Sequence, residues 1–265
     1  MKKKKIELNI LIFILIEAFI LLFFFKESLL TILLGTILGC ILIFIAKKIP
    51  VNKIIQVILL LISLFLSITI LSKINDFISF NILKNYSKFI IILSFFLVSL
   101  YLATRGYHTY IKALELITYF FLFIKVLSII LIIPNIDITN FNSQLLSELT
   151  ININLLYLGL LILFINLSIK YLTKYTLSIK NYLISSINPL FMKLLSISVI
   201  GTTLFNIYKY PYVNVLKRIK YLEFIERMEG VLSFEYLITF MFLLSFLILL
   251  IKDLSVNIFK KSNLL

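Results

Sequence analysis

The chain has 265 residues, of which 62% are hydrophobic and 14% charged, with 26 Lys and Arg against 12 Asp and Glu. Soluble domains carry about 45–50% apolar and about 25% charged residues, so this composition excludes a water-soluble globular protein and points to an integral membrane one. The net charge of +14 does not indicate nucleic acid, because the cations fall in gaps between apolar runs instead of on one solvated stripe.

Apolar runs occur at about 8–25, 29–46, 55–72, 89–104, 111–133, 153–172, 189–208 and 234–251. About 20 apolar residues at 1.5 Å rise cross a hydrocarbon core of roughly 30 Å. Backbone amides in lipid must be satisfied within the segment, which makes each run a helix. The expected fold is therefore an all-α membrane protein of about eight transmembrane helices in one domain, 1–265. The opening MKKKKIELNILIFILIEAF has the basic end of a signal peptide but too long an apolar part, so it reads as an uncleaved first span.

Two ionisable residues lie well inside spans, Glu17 in the first and Lys125 in the fifth. Charge in hydrocarbon is costly and marks a functional site by default. The residues alone leave two readings open, a charge pair or proton-linked site in the bundle, or Lys125 snorkelling along its own helix with Glu17 protonated; separation by more than about 8 Å would remove the first, since pairing needs close approach. Lys193, placed near the start of the seventh span, is expected to snorkel outward. Gly35 and Gly39 form a Gly-x-x-x-Gly spacing that permits close helix approach, or are small residues there by chance.

The run YPYVNVLKRIKYLEFIERMEG, 210–230, interrupts this pattern with Lys217, Arg218, Lys220, Glu223, Glu226, Arg227 and Glu229. Each charge would cost about 2.5 kcal/mol or more at the bilayer centre. Val215, Leu216, Ile219, Leu222, Ile225 and Met228 recur at helical spacing, and Gly230 suits a helix C-terminus. The segment 209–230 is thus expected to lie on the extracytoplasmic surface as an amphipathic helix or hairpin. The distribution of Lys and Arg over alternate gaps favours a cytoplasmic N-terminus. The single Cys40 and single His108 supply no disulfide or metal set. No catalytic motif is present, so no enzyme and no cofactor is expected.

The stretch YPYVNVLKRIKYLEFIERMEGVLSFEYL resembles a segment of the endospore germinant-receptor B subunits, permease-like members of the amino acid–polyamine–organocation superfamily. Tyr210, Pro211, Phe224, Ile225, Arg227 and Glu229 fit that pattern in order. YLATRGYHTYIKALELI is similar to the stretch joining the family's fourth and fifth spans, through Tyr101, Leu102, Ala103, Arg105, Gly106 and Lys112; ESLLTILLGTILGCILIFIAKKIP resembles its second span.

The resemblance implies a partial inverted-repeat, amino-acid-transporter-like fold with a ligand site between broken helices near the midplane. It implies a B-type receptor subunit in the spore inner membrane, beside A-type and C-type subunits, that senses or admits a small nutrient such as an amino acid. Tyr210, Pro211, Arg227 and Glu229 would then form a lid or docking ledge, and Glu17 and Lys125 would face each other, since the first and fifth helices are neighbours in that fold. The first span carries no glycine or proline and the sixth only Gly159, so neither is expected to break as the family's do. The family's last two helices have no counterpart before Leu265. A stand-alone amino-acid or cation permease, or a non-transporting scaffold, are the alternative readings.

Overall fold

Short polar turns cut the apolar sequence into long helices, and the computed structural model describes residues 2–81, 87–137, 139–142, 152–218 and 228–260. The helices are Lys2–Phe19 (α1), Leu29–Lys48 (α2), Lys53–Asn81 (α3), Lys88–Thr104 (α4) and Tyr107–Ile132 (α5). They continue with the short Thr139–Asn142 (α6), then Asn154–Thr173 (α7), Ile179–Ile207 (α8), Pro211–Arg218 (α9) and Met228–Lys260 (α10). No strand occurs among the described residues.

Six segments are long and apolar enough to cross a membrane: Leu29–Lys48, Lys53–Asn81, Tyr107–Asn135, Asn154–Thr173, Ile179–Ile207 and Ser233–Phe259. The chain is an all-helical, multi-pass integral membrane protein. Two further apolar helices, Asn9–Phe24 and Lys88–Thr104, are shorter. Phe65, Phe89 and Leu116 are 67%, 71% and 76% exposed, as side chains facing lipid should be.

Burial orders the bundle. The apolar stretch of α10 is 61% buried, against 28% in α3 and in α5, so α10 is central and those two are peripheral. Helix α1 is also central, with Leu11, Ile12, Leu15, Ala18 and Phe19 fully buried, and it packs on α8, α5 and α10. Polar side chains tie the outer helices to α10: Tyr110 donates to the Phe242 carbonyl at 3.0 Å and Ser99 to that of Met241 at 3.3 Å. Lys170 Nζ donates to the carbonyls of Ala46, Lys47 and Ile49 at 3.2, 2.9 and 2.7 Å, which satisfies the exposed C-terminal end of α2.

The closest pairing joins α2 to α7, and it explains the glycine spacing. A methyl group on Gly39 would fall 2.6 Å from Ile162 Cδ1 and 2.8 Å from Tyr182 Cζ, and one on Gly159 would fall 2.6 Å from Leu38 Cδ2. With no hydrophobic drive between helices in lipid, such close van der Waals approach is what holds them together.

Two irregularities interrupt the helices, the first of them in a span not expected to break. After Phe19 the first span continues through a π-helical turn, Ile20–Phe24, a form that bulges the backbone without glycine or proline. Helix α8 is interrupted at Gly201, with φ 76° and ψ 159°, a combination essentially restricted to glycine. One turn earlier the Ser198 carbonyl accepts from the Asp137 amide and from Asn140 Nδ2, both at 3.1 Å. The Ile133–Asn142 segment therefore docks on the break and supplies the hydrogen bonds that backbone in a membrane must find.

Of the segment 209–230, the structure describes residues 209–218 and 228–230. Helix α9 tucks under the end of the bundle, with Tyr212, Val213 and Val215 buried, because one apolar flank finds helices α8, α10 and α5 to pack on. Gly230 lies in the first turn of α10 instead of closing a helix. Residues 219–227, including Arg227, lie outside the described residues.

Candidate functional site

Glu17 and Lys125 are brought together inside the bundle, with Lys125 Nζ donating to Glu17 Oε1. Helix α1 presents Glu17 from its buried core, where it is 4% exposed. Helix α5 presents Lys125, whose ammonium also lies 5.6 Å from the centre of the Phe13 ring.

Two partners were not evident from the sequence. Glu235, on the first part of α10, is 5% exposed and sets Oε1 3.3 Å from Lys125 Nζ. Asn188, on α8 just before Pro189, donates from Nδ2 to Glu17 Oε1 at 2.7 Å. The signal for Glu235 was present as an ionisable residue in the last apolar run, but at its edge it reads as an interfacial charge. Asn188 carries no sequence signal beyond its polarity.

Four helices thus converge on one ammonium and two carboxylates. With both carboxylates ionised the group carries an excess negative charge, which burial penalises heavily unless it is compensated. Glu235 Oε2 is buried and has no hydrogen-bond partner among the described residues. It borders a cavity of about 20 Å³, lined also by Glu17, Lys125, Met192, Tyr212 and Thr239. That is room for a water molecule or a small ion, not for an amino acid.

A second cavity, of about 190 Å³, shares Leu21, Tyr212, Tyr236 and Phe240 with the first. It lies at the end of the bundle holding the α1–α2 and α8–α9 turns, and Lys26, Lys73, Asp76 and Lys209 line it. Tyr210 and Pro211 form part of its wall. The Tyr210 ring meets that of Phe77 edge-on at 4.8 Å, and burial, followed by the charge of Asp76, pushes its phenol up to about 12. It is a neutral hydroxyl at any physiological pH. Glu229 falls in the first turn of α10; its side chain, like Arg227, lies outside the described residues.

No family model matches the chain, and comparisons with curated proteins and with solved structures give no match.

Lys193 corrects the expectation that it snorkels outward. It is fully buried, donates from Nζ to the Glu27 backbone carbonyl, and lies 5.0 Å from the Phe205 ring centre. The reason is that α8 begins at Ile179, capped by Ser178 Oγ on the Asn181 amide at 3.2 Å, and not at Pro189. Lys193 is therefore mid-helix and reaches the α1–α2 turn through the protein. The carboxylate of Glu27 in turn accepts from Asn152 Nδ2 at 3.2 Å and Asn154 Nδ2 at 2.7 Å, fixing that turn against the start of α7.

Proposed function

We propose that this chain is a transporter-like membrane subunit in which Glu17, Lys125 and Glu235 form a site linked to a proton or small cation, reached from the larger cavity. The single observation that carries this reading is the triad itself. Ionisable side chains deep among membrane helices are expensive and mark ion or solute pathways, and this triad leaves a carboxylate oxygen without a partner among the described residues, beside a cavity. The π-helical turn beside Glu17 and the break at Gly201 add support, since transporter sites are typically built where helices are discontinuous.

In this reading the two shorter apolar helices cross the bilayer with the six long ones, eight in all, in a partial inverted-repeat arrangement, with the N-terminus cytoplasmic and the α8–α10 connection outside. A Cys40→Ser background carrying one new cysteine at Lys26, Lys209 or Lys47 tests the topology. The first two should react with an impermeant maleimide from outside and the third only after permeabilisation. Reaction of the cysteine at Lys209 from the cytosolic side would rule the arrangement out.

The resemblance of 210–229 to germinant-receptor B subunits extends the proposal to a receptor that senses or admits a small nutrient in the spore inner membrane, with A-type and C-type subunits as partners. Spores lacking the chain should fail to germinate with at least one amino acid, and restoring it as Lys125→Met should not rescue them. Normal germination of the deletion strain with every nutrient tried would refute this role. Uptake of labelled alanine by vesicles holding only this chain would instead make it a stand-alone permease.

A further inference from the structure

We propose that the larger cavity is a binding site for a small organic carboxylate, its charge held by Lys26, Lys73 and Lys209 and its apolar body by Phe25, Tyr236 and Phe240. The charge pattern and the wall chemistry point to the same ligand class independently.

Three ammonium groups line the cavity against one carboxylate, Asp76. Among the described residues only Lys209 is paired with it, at 3.6 Å, and both side chains are about half exposed, at 49% and 47%. Lys26 makes a long contact of 3.4 Å to the Asn206 carbonyl. Its ammonium is held below the usual lysine range by burial first, then by the neighbouring charges of Lys209 and Lys73. The cations thus repel one another across the cavity, and an anion between them would relieve that repulsion.

The remaining wall is aromatic and aliphatic. Phe25 packs on Phe205 and Tyr212, with ring centres 5.7 and 6.5 Å apart, and Tyr236 meets Phe240 edge-on at 5.4 Å. These contacts hold the rings in place, so the wall is preformed. An inorganic anion would satisfy the lysines and leave uncovered the apolar lining that the half-buried Leu21, Leu22 and Phe23 add to the buried rings, whereas a neutral apolar molecule would leave the lysines unpaired. A molecule with both parts fits, as small-ligand sites combine a mostly apolar lining with a few placed charges. A volume of about 190 Å³ restricts it to metabolite size.

The inference stands apart from the triad, whose residues stay unaltered in its test. The full chain is placed in phosphatidylcholine nanodiscs, and binding of benzoate, its neutral isostere benzamide, and inorganic phosphate is measured by calorimetry. Benzoate should bind more tightly than either. The double variant Lys26→Gln/Lys209→Gln should weaken benzoate by about tenfold and leave benzamide unchanged. Asp76→Asn removes a like charge and frees Lys209, so it should tighten benzoate binding, an effect no loss of structure would produce. Equal binding of benzoate and benzamide, phosphate binding as tightly as benzoate, no benzoate binding at millimolar concentration, or indifference to the lysine variants would each overturn the proposal.

Discussion

Lys125→Met should be the most damaging single substitution in the bundle, costing about 3–5 kcal/mol. Methionine fills the volume of the lysine stem, so packing is nearly conserved and the effect is electrostatic. It leaves Glu17 and Glu235, both buried, without the ammonium that bridges them. Glu17 keeps the Asn188 amide. Glu235→Gln should cost far less, about 1 kcal/mol, because Oε2 has no partner to lose among the described residues. The combination Lys125→Met/Glu235→Gln should recover part of the loss, since only one buried carboxylate then remains. Thermal unfolding in detergent, followed by the reactivity of Cys40, measures all three. If Lys125→Met melts with the parent chain, the triad is not held by charge.

Gly201→Ala should be the second largest effect. A Cβ at φ 76° and ψ 159° meets the neighbouring backbone, at about 1–3 kcal/mol. The chain can relieve this only by rotating Gly201 back to helical angles, which straightens α8. The Ser198 carbonyl would then turn away from Asp137 and Asn140, releasing the segment that follows α5. Hydrogen–deuterium exchange reads this directly. The Asp137 amide should be protected in the parent chain and exchange at least about tenfold faster in the variant, given the roughly 1.4 kcal/mol that corresponds to such a factor. Unchanged protection would mean that the break does not depend on glycine.

The helices themselves were legible because lipid imposes a simple rule: an apolar run must be helical. Their ends were not. Helix α3 continues past the expected limit at residue 72 through Lys73 and Asp76 to Asn81, and α10 starts at Met228 ahead of its apolar stretch. Hydropathy marks only the part of a helix in hydrocarbon, while backbone hydrogen bonding carries it on into the polar layer. The error at α8 had consequences, since drawing it from Pro189 put Lys193 at an end and turned a buried cation into an interfacial one.

Glu17 and Lys125 could be singled out by the cost of charge in oil, and their meeting follows from two inward-facing positions on adjacent helices. Glu235 and Asn188 could not be joined to them from the sequence, because nothing local tells which helices converge. The break at Gly201 was missed for a related reason. A lone glycine in an apolar run is ambiguous until a neighbouring segment is seen to accept the hydrogen-bonding groups it frees.

What the sequence determined alone was the solvent and the material: a chain too oily and too continuous in its runs to be anything but a set of membrane helices, with two charges that demanded an explanation. What only the tertiary structure decided was the company those charges keep. Hydrophobic burial in lipid is non-directional and readable one segment at a time, whereas compensation of a buried charge depends on distances of a few ångströms between helices far apart in the chain.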